Sequence, residues 1–155
     1  MLTRRLELLA DYFQFYVQDE TAVGDLSDSW TPDAVARLLA TAPGTVGVGT
    51  ARNMQVLVEI EVSDSAPEID SASWDQVNEC SIDVPSGRIV IAGCTDYFPG
   101  AERIEVAPRT YRVRVFYGSL GSVSEDGLDG DDHYRLVLWP STPCEATVLK
   151  DRQTC

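Results

Sequence analysis

Histidine is almost missing from this chain, with His133 the single example. Imidazole is the side chain that titrates nearest neutral pH, so common acid–base catalysis has little to work with. No Gly-x-Ser-x-Gly elbow is present, and His133 follows Asp131-Asp132 without a recognisable Ser or Cys nucleophile beside it. His133 reads as a surface or loop-anchoring residue, and no catalytic residue is assigned. Zinc-type spacing is also lacking: Cys80, Cys94, Cys144 and Cys155 stand far apart, with no Cys-x-x-Cys pair. No segment approaches the roughly 20 apolar residues that span a bilayer. The short apolar run near the N-terminus is broken by Glu7, which argues against a signal peptide and places the chain in the cytosol. Basic residues are scarce, 12 Lys and Arg against 25 Asp and Glu, for a formal charge of −13. A field of that sign repels phosphates and anionic lipid, excluding nucleic acid and membrane surfaces as partners.

What remains is ordinary globular material. The chain has 155 residues, 44% of them apolar and 24% charged, enough to bury a core without metal or disulfide staples. One domain over residues 1–155 is expected, and no cofactor is called for. The acidity favours a basic protein partner, because complementary fields steer encounter. It is equally compatible with a role in solubility alone. The oligomeric state is left open.

Along the chain, residues 6–17 are rich in Tyr and Phe with partial alternation and read as one or two strands. Thr31-Pro32-Asp33 is a helix start: Thr31 can accept from the first free amides, Pro32 suits the first helical position and Asp33 complements the dipole. Val35, Leu38, Leu39 and Ala42 make an apolar stripe, and Pro43-Gly44 is expected to stop the helix. Period-two strands follow at 45–48 and 54–62, the latter placing Val56, Val58, Ile60 and Val62 on one face. Residues 63–75 read as a surface loop. Strands at 77–84 and 88–92 read as a hairpin about Pro85-Ser86-Gly87. In that register Cys80 lies diagonal to Cys94, at a Cβ separation of about 7 Å where a disulfide needs about 4 Å. Buried free thiols are therefore preferred to a bridge. Further strands are read at 103–106, 111–117, 133–139 and 147–150, and Tyr111 suits a corner where its hydroxyl bonds nearby backbone. The fold class expected is mainly β, an antiparallel β-sandwich of about eight strands with one short α-helix in a connection.

Three groups of residues are candidates for partner binding. Glu59, Glu61, Glu79 and Asp83 lie opposite the apolar faces of their strands and could gather into an acidic patch, with Arg112 and Arg114 placed to answer them. Tyr97 and Phe98, beside Pro99-Gly100, have the character of interface anchors. The loop 125–132 contributes Asp126, Asp129, Asp131 and Asp132. Its carboxylates could alternatively hold Ca²⁺, or another ligand, although the spacing fails the helix-loop-helix pattern. Ordinary solvated faces and loops are the competing reading of all three groups. Trp30, Trp74 and Trp139 read as packing residues.

One set of motifs resembles a known family. Trp30-Thr31-Pro32-Asp33, Gly44-Thr45-Val46 and Arg52-Asn53 before the alternating strand resemble the competence-associated ComJ family, as do the run from Tyr12 to Asp19 and Asp132-His133-Tyr134. Where the family pattern has Gly or Lys before a tyrosine, this chain has Arg109-Thr110. The resemblance implies a non-enzymatic inhibitor of a nuclease, its carboxylates imitating DNA phosphates in a cationic groove.

Overall fold

The computed structural model describes residues 2–68, 71–93, 95–96 and 98–151. Its strands are β1 Leu2–Leu9, β2 Gln14–Asp19, β3 Leu39–Ala42, β4 Thr45–Gly49, β5 Gln55–Val62, β6 Gln76–Val84, β7 Arg88–Gly93, β8 Glu102–Glu105, β9 Arg109–Gly118, β10 His133–Pro140 and β11 Thr147–Lys150. A helix, α1, occupies Pro32–Arg37 in the connection between β2 and β3. Six strands form one sheet in the order β1-β5-β10-β9-β6-β11, and five form the other in the order β3-β4-β2-β7-β8. Neighbours run antiparallel except β5 and β10, which are parallel. Among the described residues, no helix is long and apolar enough to cross a membrane.

Alternation builds the core. Val56, Val58 and Ile60 of β5, Tyr134, Leu136 and Leu138 of β10, and Tyr111, Val113, Val115 and Tyr117 of β9 are buried between the sheets. Phe15, Val17, Val46, Val48, Ile89 and Ile91 meet them from the five-stranded sheet. Tyr134 is central, packing edge-on to Phe15 and to Tyr117 at centroid separations of 5.9 Å. The Tyr111 hydroxyl donates to the Ala107 carbonyl at 2.7 Å, the corner expected from the sequence.

The described residues form eleven strands where the sequence suggests about eight. One reason is α1, which starts as expected, with the Ala34 amide donating to Thr31 Oγ1 at 3.2 Å, but ends after Arg37. Leu38 turns left-handed (φ 61°), and Leu39–Ala42 become a strand joined to β4 by a turn at Pro43-Gly44. Val35 consequently lies 55% exposed instead of on a core stripe. The helix end is held by polar side chains buried on the inner face of β6. Gln76 and Asn78 both donate to the Arg37 carbonyl at 2.7 Å, and the Tyr117 hydroxyl donates to the Leu38 carbonyl at 2.6 Å.

A second correction concerns β6 and β7, which do not form a hairpin. β6 pairs with β9 and β11 in one sheet, and β7 pairs with β2 and β8 in the other. The chain crosses between sheets at residues 85–87, where buried Asp19 accepts from the Ser86 amide at 3.0 Å and hydroxyl at 2.5 Å, and from the Thr21 amide and hydroxyl. Burial acts to raise the Asp19 pKa, but these hydrogen bonds outweigh it and hold the carboxyl below its ordinary value. Cys80 is a free thiol facing the core, its pKa pushed up by burial, while Cys94 lies outside the described residues.

Candidate docking surface

At one end of the sandwich β1 and β9 finish and β5 and β10 begin. There the chain crosses from β1 to β2 through residues 10–13. The Ala10 amide donates to the Met54 carbonyl at 2.9 Å, and the Thr50 amide donates to the Phe13 carbonyl at 2.9 Å. Close passage over β7 requires glycine at 93, since a Cβ there would stand 2.1 Å from the Leu9 carbonyl oxygen. Between these anchors Tyr12 (φ 58°) and Phe13 (φ 61°) adopt left-handed backbone, which side-chain-bearing residues avoid. Both rings are nevertheless turned outward, 69% and 45% exposed. Partial alternation over residues 6–17 suggests that both lie on a strand, but the strand begins only at Gln14.

The acidic loop closes over the same end. It folds on itself, with Asp126 accepting from the Ser124 hydroxyl at 2.5 Å and the Leu128 amide at 3.0 Å. The Ser124 bond is the main cause that holds the Asp126 carboxyl below its ordinary pKa. The Asn53 amide pins the tip by donating to the Gly127 carbonyl at 2.8 Å. Asp132 closes the base from the interior: it is buried, ion-paired to Arg52 at 2.6 Å, and accepts from the Tyr134 hydroxyl at 2.5 Å. Burial first, and then the Asp132 bond, pushes the Tyr134 hydroxyl well above the usual phenol range. Asp132 is thus a structural anchor and not a partner-facing group. Asp126, Asp129 and Asp131 are exposed. No three His, Cys, Asp or Glu side chains converge on a metal-sized site among the described residues.

The strand carboxylates are arranged differently from the acidic patch envisaged. Glu59 lies between Arg5 at 3.1 Å and Arg135 at 3.5 Å, and Arg135 also meets Glu61 at 3.5 Å. Glu79 is held by Arg114 at 2.8 Å and Arg112 at 3.7 Å, the two arginines expected to answer it. Asp83 accepts from the Thr110 hydroxyl at 2.6 Å. The strand order explains this, because β10 and β9, which carry these arginines outward, stand between β5 and β6. The outer face of the six-stranded sheet is a mosaic of both signs. Tyr97 and the Phe98 side chain lie outside the described residues.

What the fold brings together is an apolar cluster with an acidic rim. Of the ten large apolar side chains exposed among the described residues, six gather here: Leu9, Tyr12, Phe13, Met54, Leu57 and Leu128. An open groove of about 570 Å³ is lined by three of them, Met54, Leu57 and Leu128, with Glu7, Asp129 and Asp131. Glu7, Asp129 and Asp131 have no ion-pair partner among the described residues, and the nearby Arg52 is already tied to Asp132. By contrast, exposed Asp25, Asp28 and Asp33 outside the five-stranded sheet are accompanied by only Val23 and Val35. Aromatic and aliphatic anchors beside unneutralised carboxylates favour the first end for protein contact. The aromatic motif was visible in the sequence, but its exposure follows from a chain crossing that alternation does not signal.

Two packed sheets with one parallel pair and a helix set into the β2–β3 connection define a particular kind of β-sandwich, and it is the ComJ-like fold. Among solved structures, ComJ of Bacillus subtilis, an inhibitor of the DNA degrading activity of NucA, is similar with a TM-score of 0.68 and 16% identity, over 91% of this chain and 96% of that one. The product of crocagin biosynthetic gene J is similar with a TM-score of 0.60 and 20% identity, over 92% of this chain and all of the other. No family model and no curated protein sequence matches the chain.

Proposed function

We propose that this chain is a protein inhibitor that docks by the acidic, apolar end of its sandwich onto a cationic protein. The partner class favoured is a nuclease. The observation that carries the reading is the meeting of six exposed apolar side chains with carboxylates that have no arginine partners among the described residues. It is supported by the ComJ-like fold, since ComJ itself inhibits a nuclease. A nuclease offers Arg and Lys to DNA phosphates, and Glu7, Asp129 and Asp131 would occupy those positions in place of phosphate oxygens. Tyr12, Phe13 and Leu128 would supply the desolvated contact area that charge alone does not. The role is non-catalytic, and the charge sets nucleic acid and membranes aside as partners.

The test is a DNA-degradation assay with basic nucleases of the source organism, titrated with this protein. Near-stoichiometric inhibition is expected, together with its loss in Tyr12→Ser, Asp129→Lys and Asp131→Lys variants that keep the wild-type melting profile. Failure to inhibit any of them, or inhibition untouched by these substitutions, overturns the reading.

A further inference from the structure

The groove at the docking end adjoins a second groove, on the outer face of the six-stranded sheet. This neighbour encloses about 330 Å³ and is lined by Leu6, Leu57, Val58, Trp74 and His133, with Arg5, Glu59 and Arg135 at its rim. Leu57 and His133 line both grooves and form the ridge between them. Leu57 is 56% exposed on that ridge. His133 is set by contact with Trp74, at a centroid separation of 5.1 Å, and by the absence of a side chain at Gly118, where a Cβ would stand 2.4 Å from Nε2.

The two grooves differ in charge. Around the smaller, Arg5 and Arg135 are both bound to Glu59, and Arg135 also to Glu61, so the rim is close to neutral. That rim offers no net attraction to a phosphate or carboxylate, and the apolar floor with its Trp74 wall suits one aromatic or large aliphatic side chain. The larger groove carries Glu7, Asp129 and Asp131, and its one arginine is neutralised by Asp132, so it suits a cation. Along β5 the larger groove is bordered by Gln55 and Leu57 and the smaller by Leu57 and Glu59. Their centres are therefore offset by about two residues of strand, roughly 7 Å, which is also the repeat of same-face side chains in an extended peptide.

We propose that the paired grooves form one binding site for an extended segment of the partner carrying a Lys or Arg and an aromatic residue two positions apart. The cationic side chain enters between Glu7 and Asp129–Asp131, and the ring enters between Leu57 and Trp74. This inference rests on the proposed function for the cationic character of the partner, and adds the local sequence by which it is held.

The probes are two peptides of equal composition, acetyl-Thr-Lys-Thr-Phe-Thr-amide and acetyl-Thr-Thr-Lys-Phe-Thr-amide. In the second, Lys and Phe are adjacent and point to opposite faces of an extended chain. Neither contains tryptophan, so Trp74 emission reports occupancy, with Trp74→Phe as the blank and amide chemical shifts as a second readout. The first peptide should bind about fivefold or more tighter than the second, shift the Leu57 and His133 amides, and lose affinity on Leu57→Lys. Since Leu57 is exposed, that variant should fold, and its melting curve verifies this. Equal affinities, or shifts confined elsewhere, overturn the inference. Nuclease inhibition that persists beside such a result leaves the proposed function standing, whereas register-selective binding by a chain that inhibits no nuclease sinks that function and keeps the paired-groove site.

Discussion

Asp131 and Asp132 are chemically identical neighbours with opposite roles, one in solvent and one buried. Burial of the second depends on Arg52, 80 positions earlier, and on the Tyr134 hydroxyl. Breaking a buried ion pair from one side costs about 3–5 kcal/mol, because the remaining charge is left uncompensated. Asp132→Ala should therefore lower the unfolding free energy by about that amount in a urea titration, and a loss below about 1 kcal/mol would mean the pair behaves as an exposed one. Asp19 makes a pH-dependent contribution. Its folded pKa lies below its unfolded value, so its stabilisation is complete above the unfolded pKa of about 4 and is lost as pH falls through the folded value. Asp19→Asn should flatten the decline in stability between about pH 5 and pH 2, measured by denaturant titration at each pH. An unchanged slope would assign the acid limb to other carboxylates. Neither role could be read from residue type, since each also needs a distant partner, Arg52 for Asp132 and Ser86 for Asp19.

At the scale of elements, starts were more legible than ends. Thr31-Pro32-Asp33 announces α1, and the Thr31 cap is in place. Thr31→Ala should cost about 1 kcal/mol, checked by thermal or urea unfolding. The end of α1 is not legible in its own residues, because the left-handed turn at Leu38 is secured by Gln76, Asn78 and Tyr117 of other strands. Residues 10–13 pose the same problem. Two consecutive left-handed aromatic residues cost roughly 1–2 kcal/mol each, and persist because the Ala10 amide donates to the Met54 carbonyl and the Phe13 carbonyl accepts from the Thr50 amide. Tyr12→Gly should hold stability constant or raise it by up to about 1 kcal/mol while weakening inhibition of the partner. A stability loss without any change in inhibition would assign Tyr12 to packing. Pro85-Ser86-Gly87 signals a turn but not a crossing, since the same local geometry can return a strand to its own sheet or pass it to the next.

For the molecule as a whole, the net charge of −13 says little until its distribution is known. Arginines on β9, β10 and β1 neutralise the glutamates of the six-stranded sheet, and the carboxylates lining the groove at the apolar end that have no ion-pair partner among the described residues are Glu7, Asp129 and Asp131. Inhibition should weaken as salt rises, because contacts between exposed charges are screened within a Debye length of about 8 Å at physiological ionic strength. The charge reversals Asp129→Lys and Asp131→Lys should reduce affinity far more than Asp25→Lys and Asp33→Lys, which change total charge equally. Equal effects would point to a diffuse field instead of a docking end.

Alternation of side chains along each strand, the helix start and the sign of the charge are properties of neighbouring residues or of simple sums. For that reason the sequence alone determined a β-sandwich with one short helix and a negative net charge. Which sheet received each strand, which carboxylates met arginines, and whether Tyr12 and Phe13 were buried depended on residues tens of positions apart. Those were decided only by the tertiary structure, because side-chain period reports which face is apolar but carries no information about the strand, or the charge, that will lie beside it.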